Sequence, residues 1–297
     1  MCCRPLRPRR ARRASTSAVG RETIAGRAVI NEPAIRFDDG AGYERYMGKW
    51  SQLVGEAFLA WLAPKPGLRW LDVGCGNGAF TELLIERCAP ASAHGVDPAE
   101  GQIVYARSRP ASRLAKFELG DAMALPFPDN SFDVAVMPLV LFFVPDPPKG
   151  VAEMARVVAP GGLVAAYSWD MIGGGFPYQA LQAEMREMNA VVRVAPNPDA
   201  SRMKVVRELW VGAGLEAVET REITVQRTFE GFDDYWETIL KGPSVRPGLA
   251  AMQPEKLAQL RYRMRVRLPE DADGRITCTA RANAIRGRVP KTRAVAP

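Results

Sequence analysis

The sequence predicts an α/β protein: a doubly wound sheet of seven strands, mostly parallel, with an antiparallel last strand. Two observations carry this prediction. The stretch 70–80 reads as a buried strand, a tight glycine turn and the start of a helix. Over the next eighty or so residues, apolar segments alternate with helical ones. Strands that alternate with helices form a parallel sheet with right-handed crossovers.

Each element has its own signal in the sequence. Apolar segments predict the first five strands at about 70–73, 93–97, 114–121, 131–137 and 163–169, with a turn at 157–162 before the fifth. Helices are predicted between them at about 78–88, 99–109 and 147–158. Alternating polar and apolar residues predict the last two strands at 215–229 and 274–286.

The glycine turn predicts a ligand site. Gly74, Gly76 and Gly78 let the backbone approach a ligand where any Cβ would clash. Dinucleotide-binding domains share such a turn, but here Asp72 precedes it. A carboxylate at the rim repels a pyrophosphate and suits an ammonium or sulfonium group. No Lys-Ser/Thr pair follows the glycines, which excludes a P-loop.

Two more acids end predicted strands. Asp97 ends the second strand, about twenty residues beyond the glycines, where such folds place a ribose-binding carboxylate. Asp121 ends the third strand. Ligands of open α/β sheets bind at the carboxyl ends of the strands, so we expect both acids and Asp72 at one ligand-binding edge.

Three stretches together resemble a known family. Residues 70–80, 120–133 and 153–162 are similar to the motifs of class I S-adenosylmethionine (SAM)-dependent methyltransferases. The subgroup is methyltransferase type 11/25-like and includes the ubiquinone/menaquinone methyltransferases. The resemblance extends over residues 43–170 and implies a Rossmann-like fold with SAM as cofactor.

The resemblance also implies a role for each motif residue. Asp72 and the backbone of 74–76 would hold the methionine moiety, and Asp97 both ribose hydroxyls. Asp121 would accept from the adenine amino group. The Ala122 N–H would face the ring, which Met123 and Pro98 would sandwich. The implied cofactor-binding set is Asp72, Gly74, Cys75, Gly76, Asp97, Pro98, Gln102, Asp121, Ala122 and Met123, with Tyr43 and Tyr46 from the N-terminal helices.

The sequence does not reveal a catalytic base. The one histidine, His94, is interpreted as a residue of the second strand. Relatives carry a histidine after the fourth strand, and Phe142 takes that place here, which leaves an apolar wall. The sequence Asp146-Pro-Pro resembles a signature of nitrogen methyltransferases, but it lies nine residues after Met137 and ends in Lys149. It predicts a helix start instead.

Charge is unevenly distributed along the 297 residues. Residues 1–36 hold nine Arg and two Glu, and residues 261–297 hold nine Arg, one Lys and three acids. Each of these two ends therefore has a net charge of +7. Since the whole chain has a net charge of +7, residues 37–260 have a net charge of −7. An acidic core suits a cationic cofactor and argues against a broad phosphate-binding face, so nucleic acid is not the expected partner.

Composition narrows the class of protein further. Five cysteines without CxxC spacing argue against a zinc site and a disulfide framework, and they suit a reducing compartment such as the cytoplasm. No metal site is expected. A run of eighteen apolar residues does not occur, so no membrane span is expected.

The N-terminal region divides into a tail and two helices. Residues 1–36 are interpreted as a disordered basic tail, with a transit peptide and a nucleic-acid arm as alternatives. The methyltransferase domain is predicted over 37–297, beginning with a short helix at 43–50 and an amphipathic one at 52–62. Tyr43 and Tyr46 lie four residues before Met47 and Trp50. This spacing fits a cofactor contact and core packing equally.

Two helical insertions are predicted, at about 170–200 and 231–268. In the second, apolar residues recur at helical spacing: Phe232, Tyr235, Trp236 and Ile239. Loops of this length inside a compact domain carry their own helices and a function, often as a lid. We therefore expect a lid over an apolar acceptor, and the alternative is a peripheral appendage or dimer face.

The predicted function is methyl transfer from SAM to a small apolar or aromatic acceptor. Two alternatives stay open. One is an RNA or protein methyltransferase that docks through the basic ends, and the other is a SAM-binding protein without catalysis. The identity of the acceptor and the oligomeric state do not follow from the sequence.

Overall fold

A single seven-stranded sheet is the centre of the computed structural model, which describes Gly42 and residues 44–292. Its strands are β1 (Arg69–Val73), β2 (Ser92–Asp97), β3 (Ala115–Leu119), β4 (Phe132–Pro138), β5 (Val158–Trp169), β6 (Glu216–Phe229) and β7 (Ile276–Arg288). Their order is β3-β2-β1-β4-β5-β7-β6. The first five strands pair in parallel, and β7 is antiparallel to both β5 and β6. The predicted sheet and its antiparallel last strand are confirmed.

Helices cover both faces of the sheet. They are α1 (Lys49–Leu62), α2 (Ala79–Cys88), α3 (Glu100–Ser108), α4 (Pro147–Val157), α5 (Gln179–Glu187), α6 (Met203–Gly212), α7 (Phe232–Ile239), α8 (Arg246–Ala250) and α9 (Pro254–Arg267). Helix α6 was not predicted from the sequence, and α8 lies inside the predicted helical insertion at 231–268. In the described part of the chain, none of the helices has the length and apolarity that a bilayer crossing requires.

The strands are apolar on both sides, as a parallel sheet covered by two helical layers requires. Trp70 of β1 and Val136 of β4 belong to the core that α1 and α2 cover. Leu71 and Met137 point to the opposite core, under α4 and α6. This alternation explains why continuous apolar runs identified the strands in the sequence.

Three boundaries differ from the prediction. A π-helical turn, Glu44–Gly48, leads directly into α1, so the two predicted N-terminal helices form one continuous segment. Strand β3 ends at Leu119, so Asp121 follows the strand rather than ending it. Strand β5 begins at Val158, within the predicted turn. The register between β5 and β4 shifts there, so the predicted turn lies inside an irregular part of the strand.

Candidate functional site

The order of the strands places a crevice at the carboxyl end of β1. The chain leaves β1 toward β2 on one side, and β4 lies on the other side. Ligands of doubly wound sheets bind at such a reversal of strand order. The glycine turn follows β1 at this point, and Asp97 lies at the end of the neighbouring β2.

The backbone amides of residues 74–76 in the glycine turn donate hydrogen bonds to β2. The Gly74 and Cys75 amides both donate to the Val96 carbonyl oxygen, at 2.8 and 3.0 Å. The Gly76 amide donates to Asp97 Oδ2 at 3.0 Å. Because these amides are already used, the backbone of 74–76 can bind the methionine end of a ligand only through its carbonyl oxygens. Carbonyl oxygens accept hydrogen bonds, and an ammonium group donates them.

Glycine is favoured at two positions of the turn, for different reasons. Gly74 has a φ of 75°, and a Cβ there would lie 2.5 Å from a methyl carbon of Val140. Gly76 has a φ of 53°, and the nearest atom to its Cβ position is Gln102 Oε1, at 4.0 Å. Val140 therefore seals one side of the turn, and the other side is open toward the buried side chain of Gln102.

Asp72 lies inside the sheet, which corrects its expected position at the rim. It is 1% exposed, and its Oδ2 accepts a hydrogen bond from the Thr81 hydroxyl at 2.7 Å. Among the residues that the structure describes, none donates to Oδ1. Burial, together with the charge of Asp97, raises the pKa of Asp72 to about 7. A buried carboxylate oxygen without a donor is the partner that a cationic group needs.

Asp97 uses both of its oxygens for the backbone and keeps capacity for a ligand. Oδ2 accepts from the Gly76 amide, and Oδ1 accepts from the Ala99 amide at 2.9 Å. Burial raises the pKa of Asp97, while these two hydrogen bonds lower it. Each carboxylate oxygen has a second acceptor position, so two adjacent ribose hydroxyls fit this group.

The segment after β3 lies beside the end of β2. The Gly120 amide donates to the Asp97 carbonyl oxygen at 3.2 Å. Asp121 is exposed, and its Oδ1 accepts from the Met123 amide at 2.8 Å. Ala122 and Met123 are half-buried and Pro98 is exposed, so the two sides of the expected adenine slot lie on neighbouring strand ends. Their contact with adenine stays a prediction.

A clamp from α4 holds this segment in place. Glu153 accepts from the Leu125 amide at 2.9 Å and pairs with Arg156 at 2.7 Å. Arg156 donates to the carbonyl oxygens of Leu125 and Phe127, at 3.1 and 2.8 Å. The Glu-Met-Ala-Arg motif, recognised in the sequence by resemblance alone, thus has a physical role in fixing the loop that carries Asp121.

Three other expected site residues have different outcomes. The Cys75 side chain is buried beside Gly95 and packs with Ile103 and Phe117, so core packing accounts for it. Tyr46 is 2% exposed and stacks on Tyr178 with 4.4 Å between ring centroids, so core packing is established for it and a cofactor contact is not. Tyr43 lies outside the described residues.

The chemistry of this edge suits SAM. A donor-poor carboxylate at β1 matches the ammonium of its methionine moiety, and the acceptors of Asp97 match its ribose. The glycine turn between them is open at Gly76. Within the described residues, no group of three or more His, Cys, Asp or Glu side chains is arranged to hold a metal ion.

Comparison with known proteins agrees with this geometry. Residues 71–166 match a family described as "Methyltransferase domain". The chain carries a class I SAM-dependent methyltransferase domain. SAM is the cofactor of this domain, and its fold is the Rossmann-like one implied by the motifs.

Named relatives match longer stretches of the chain than this family does. The demethylmenaquinone methyltransferase of Symbiobacterium thermophilum is 39% identical over 120 residues, which cover 39% of this chain and 47% of that protein. Cycloartenol-C-24-methyltransferase 1 of Oryza sativa subsp. japonica is 28% identical over 218 residues, which cover 70% of this chain and 56% of that protein. The chain thus spans about half the length of the curated relatives that it matches.

A solved structure shares the fold. Phosphoethanolamine N-methyltransferase 2 of Haemonchus contortus, in complex with SAM, has a TM-score of 0.55 and 19% identity. The match covers 86% of this chain and 57% of that one.

The methyltransferase domain has an apolar region where β4 ends. Leu139 has a φ of 61°, unusual for a leucine, and its amide donates to the Tyr167 carbonyl oxygen at 2.7 Å. This bend directs Val140 onto Gly74. Phe142 is buried, which agrees with the apolar wall expected from the sequence.

The first insertion covers this region. Asn197 donates from its amide to the Phe142 carbonyl oxygen at 3.0 Å, and from Nδ2 to the Val144 carbonyl oxygen at 2.6 Å. Ser201 accepts from the Met171 amide at 3.2 Å, just beyond the end of β5. Residues 170–201 are therefore fastened across the exits of β4 and β5.

The apolar face of the second insertion is buried within the same chain. Tyr235 of α7 packs on Phe229 and Tyr178, with ring centroids 5.2 and 6.2 Å away. Trp236 stacks on Phe232 at 6.0 Å. The helical periodicity predicted this buried face, and the structure identifies its partners as β6 and the residue that precedes α5.

The basic C-terminal region pairs with acids of the domain itself. In α9, Arg261 pairs with Asp233 at 2.7 Å, and Arg263 pairs with Glu184 at 3.3 Å. Arg267 also contacts Glu184. Further pairs join β7 to the rest of the domain, Arg281–Asp170 and Arg286–Glu219.

His94 is a strand residue, as interpreted from the sequence. It pairs with Leu71 and Lys116 in the sheet, three residues before the carboxyl end of β2. Its Nδ1 lies 3.8 Å from Glu118, and burial lowers its pKa. The ring packs against Phe127 and Phe132, which places it away from the glycine turn.

Proposed function

We propose that this protein transfers the methyl group of SAM to a small apolar or aromatic acceptor. The observation that carries this proposal is the juxtaposition, at one crevice, of two unlike surfaces. Oxygen acceptors lie on the β1 and β2 side, and an apolar wall lies on the β4 and β5 side. The first suits the charged cofactor, and the second suits an apolar or aromatic acceptor.

Two curated relatives support an apolar acceptor. The two described above are named for demethylmenaquinone and cycloartenol, both apolar ring compounds. The pairing of the α9 and β7 arginines with acids of the same chain supports a small molecule over RNA, because paired arginines contribute little free positive potential.

The residues of the site would promote methyl transfer mainly by aligning the cofactor with the acceptor. A sulfonium supplies an activated methyl group, so the reaction is an in-line displacement that needs a correct approach angle and exclusion of water. Asp72 and Asp97 would fix the two ends of the cofactor. Val140 and Phe142 would form the dry wall along which the acceptor approaches. A nucleophile that ionises readily in solution, such as a phenolic or enolic acceptor, does not require a protein base.

A product screen tests the proposal. The purified protein is incubated with SAM and a metabolite extract, and mass spectrometry searches for products heavier by one CH2 unit. We expect SAM-dependent products among the apolar fraction, absent with the Asp97→Ala variant. Products found only on RNA or protein would support the docking alternative, and SAM binding without any product would support the non-catalytic one.

A further inference from the structure

The π-helical turn Glu44–Gly48 contacts both the glycine turn and the second insertion. We propose that Arg109 is a positioning residue that holds this turn, so that cofactor binding and the insertion helix α7 are coupled. The inference rests on the proposed function, because it assigns α7 to the acceptor side of the same site.

Arg109 is the centre of a polar network beside the glycine turn. It lies just beyond the end of α3, and its side chain is 14% exposed. Its guanidinium donates to the Asn77 carbonyl oxygen at 2.6 Å, to Glu82 at 2.8 Å and to Glu44 at 2.5 Å. One arginine thereby joins the glycine turn, helix α2 and the N-terminal turn.

Asn77 strengthens the connection. It belongs to the glycine turn, is 3% exposed, and donates from Nδ2 to Glu44 Oε2 at 2.8 Å. Its Oδ1 accepts from the Ala79 amide at 3.2 Å, which fixes the first turn of α2. The carboxylate of Glu44 therefore bonds to the same short loop that lies against the cofactor crevice.

The other side of the Glu44–Gly48 turn contacts the insertions. Arg45 pairs with Glu237 of α7 at 2.9 Å. The Tyr46 carbonyl oxygen accepts from the Tyr178 hydroxyl at 2.7 Å, and the Tyr46 ring lies against Gly242. A change in the glycine turn thus has a continuous path of hydrogen bonds and stacked rings to α7.

Gly48 shows how closely Glu44 is held. A Cβ at this position would lie 2.5 Å from Glu44 Oε1 and 2.7 Å from its Cδ. The carboxylate folds back over Gly48 to reach Arg109 and Asn77. π-helical turns are uncommon and are found frequently at functional sites, which agrees with a role for this segment.

Hydrogen exchange of the full chain, with and without S-adenosylhomocysteine, tests the proposal. In the wild type we expect the ligand to slow amide exchange in 44–48 and also in 232–239. In Arg109→Gln we expect about fivefold weaker ligand binding, at the low end of typical coupling. At saturating ligand, the slowing in 232–239 should be lost.

One control variant and one second test variant complete the experiment. Arg87→Gln removes another arginine–glutamate pair, Arg87–Glu56 at 2.9 Å, which joins α2 to α1 without touching the turn. It should keep the response of 232–239.

Gly48→Ala displaces Glu44 without changing a charge, and alanine has a higher helix propensity than glycine. It should lose the response, and it replaces Arg109→Gln as the test if that variant does not fold.

Three results would contradict the coupling role of Arg109 or the proposed function. A normal response of 232–239 in Arg109→Gln at saturating ligand would overturn the coupling role. So would a wild type that binds the ligand without any change in 232–239. A wild type that does not bind S-adenosylhomocysteine would instead overturn the proposed function, and the inference with it.

Discussion

The two halves of the crevice are built by different means. On the cofactor side, between β1 and β3, hydrogen bonds connect strand ends through Val96, Asp97 and the glycine turn. On the proposed acceptor side, between residues 170 and 268, aromatic rings pack on one another around Tyr178 and Tyr235. A hydrogen bond of fixed geometry restricts each position to few residue types, whereas aromatic packing can be achieved by many combinations of residues. The first half can therefore be interpreted from sequence and the second only in part.

The largest expected effect is at Asp97. Asp97→Ala removes the expected acceptor of two ribose hydroxyls, and we predict a loss of about 3 kcal/mol in SAM binding, more than a hundredfold in Kd. Asp121→Ala, at an exposed acid with a single expected contact, should cost about 1 kcal/mol. Calorimetric titration measures both. Equal Kd values for Asp97→Ala and the wild type would contradict the ribose assignment.

A second prediction concerns Gly74, where the two halves touch. Gly74→Ala should destabilise the fold by about 2 to 3 kcal/mol, because alanine is strained at this positive φ and its Cβ meets Val140. Gly67 has a similar φ of 77° but no atom within 4 Å of its Cβ position. Gly67→Ala should therefore cost only about 1 kcal/mol. Urea denaturation gives both values, and equal costs would refute the contact with Val140.

A third prediction concerns pH. The pKa of Asp72 in the folded protein is about 7, above the ordinary aspartate value of 3.8, so the folded state holds the proton more tightly. Asp72 therefore stabilises the ligand-free protein at low pH, and this contribution is lost as the pH rises through about 7.

Between about pH 5.5 and about pH 7.5, the loss should be about 2 kcal/mol of the free energy of unfolding. Asp72→Asn should abolish this dependence, and thermal melts across the pH range compare the two proteins. Because a bound ammonium stabilises the charged carboxylate, SAM affinity should rise over the same range. If the difference in the free energy of unfolding between wild type and Asp72→Asn did not change with pH, Asp72 would already be ionised at low pH.

The smallest expected effect is on the acceptor side. The Tyr178 hydroxyl donates to the Tyr46 carbonyl oxygen and accepts from Trp50 Nε1 at 3.1 Å. Tyr178→Phe should reduce the free energy of unfolding by about 1 to 2 kcal/mol. SAM affinity should change less than twofold, because the ring packing that supports the turn Glu44–Gly48 persists. A tenfold loss of SAM affinity would mean that the Tyr178 hydroxyl itself, and not the ring packing, supports the cofactor side.

The sequence predicted the sheet and the cofactor edge because local signals suffice there. A glycine turn with Asp72 before it and an acid twenty residues later can be recognised without knowing the fold. The same signals do not reveal that Asp72 is buried or that Thr81 is its partner. Burial depends on the strands that flank β1, and the hydroxyl is supplied by the next helix.

Other parts of the site depend on long-range contacts that leave no local pattern. Arg109 contacts Glu44 across 65 positions of the chain, and Arg45 contacts Glu237 across 192. The face of α7 could be predicted from its helical spacing, but its partners could not. A Phe/Tyr/Trp stripe packs equally well on a strand, a helix or a partner subunit.

The most direct test of the account is a calorimetric titration of the wild-type protein with SAM and, separately, with NAD. The glycine turn with Asp72 and Asp97 predicts saturable binding of one SAM per chain and no measurable heat from NAD. The same titration with Asp97→Ala should show the weakened binding described above. Saturable binding of NAD, with none of SAM, would contradict the assignment of the cofactor site.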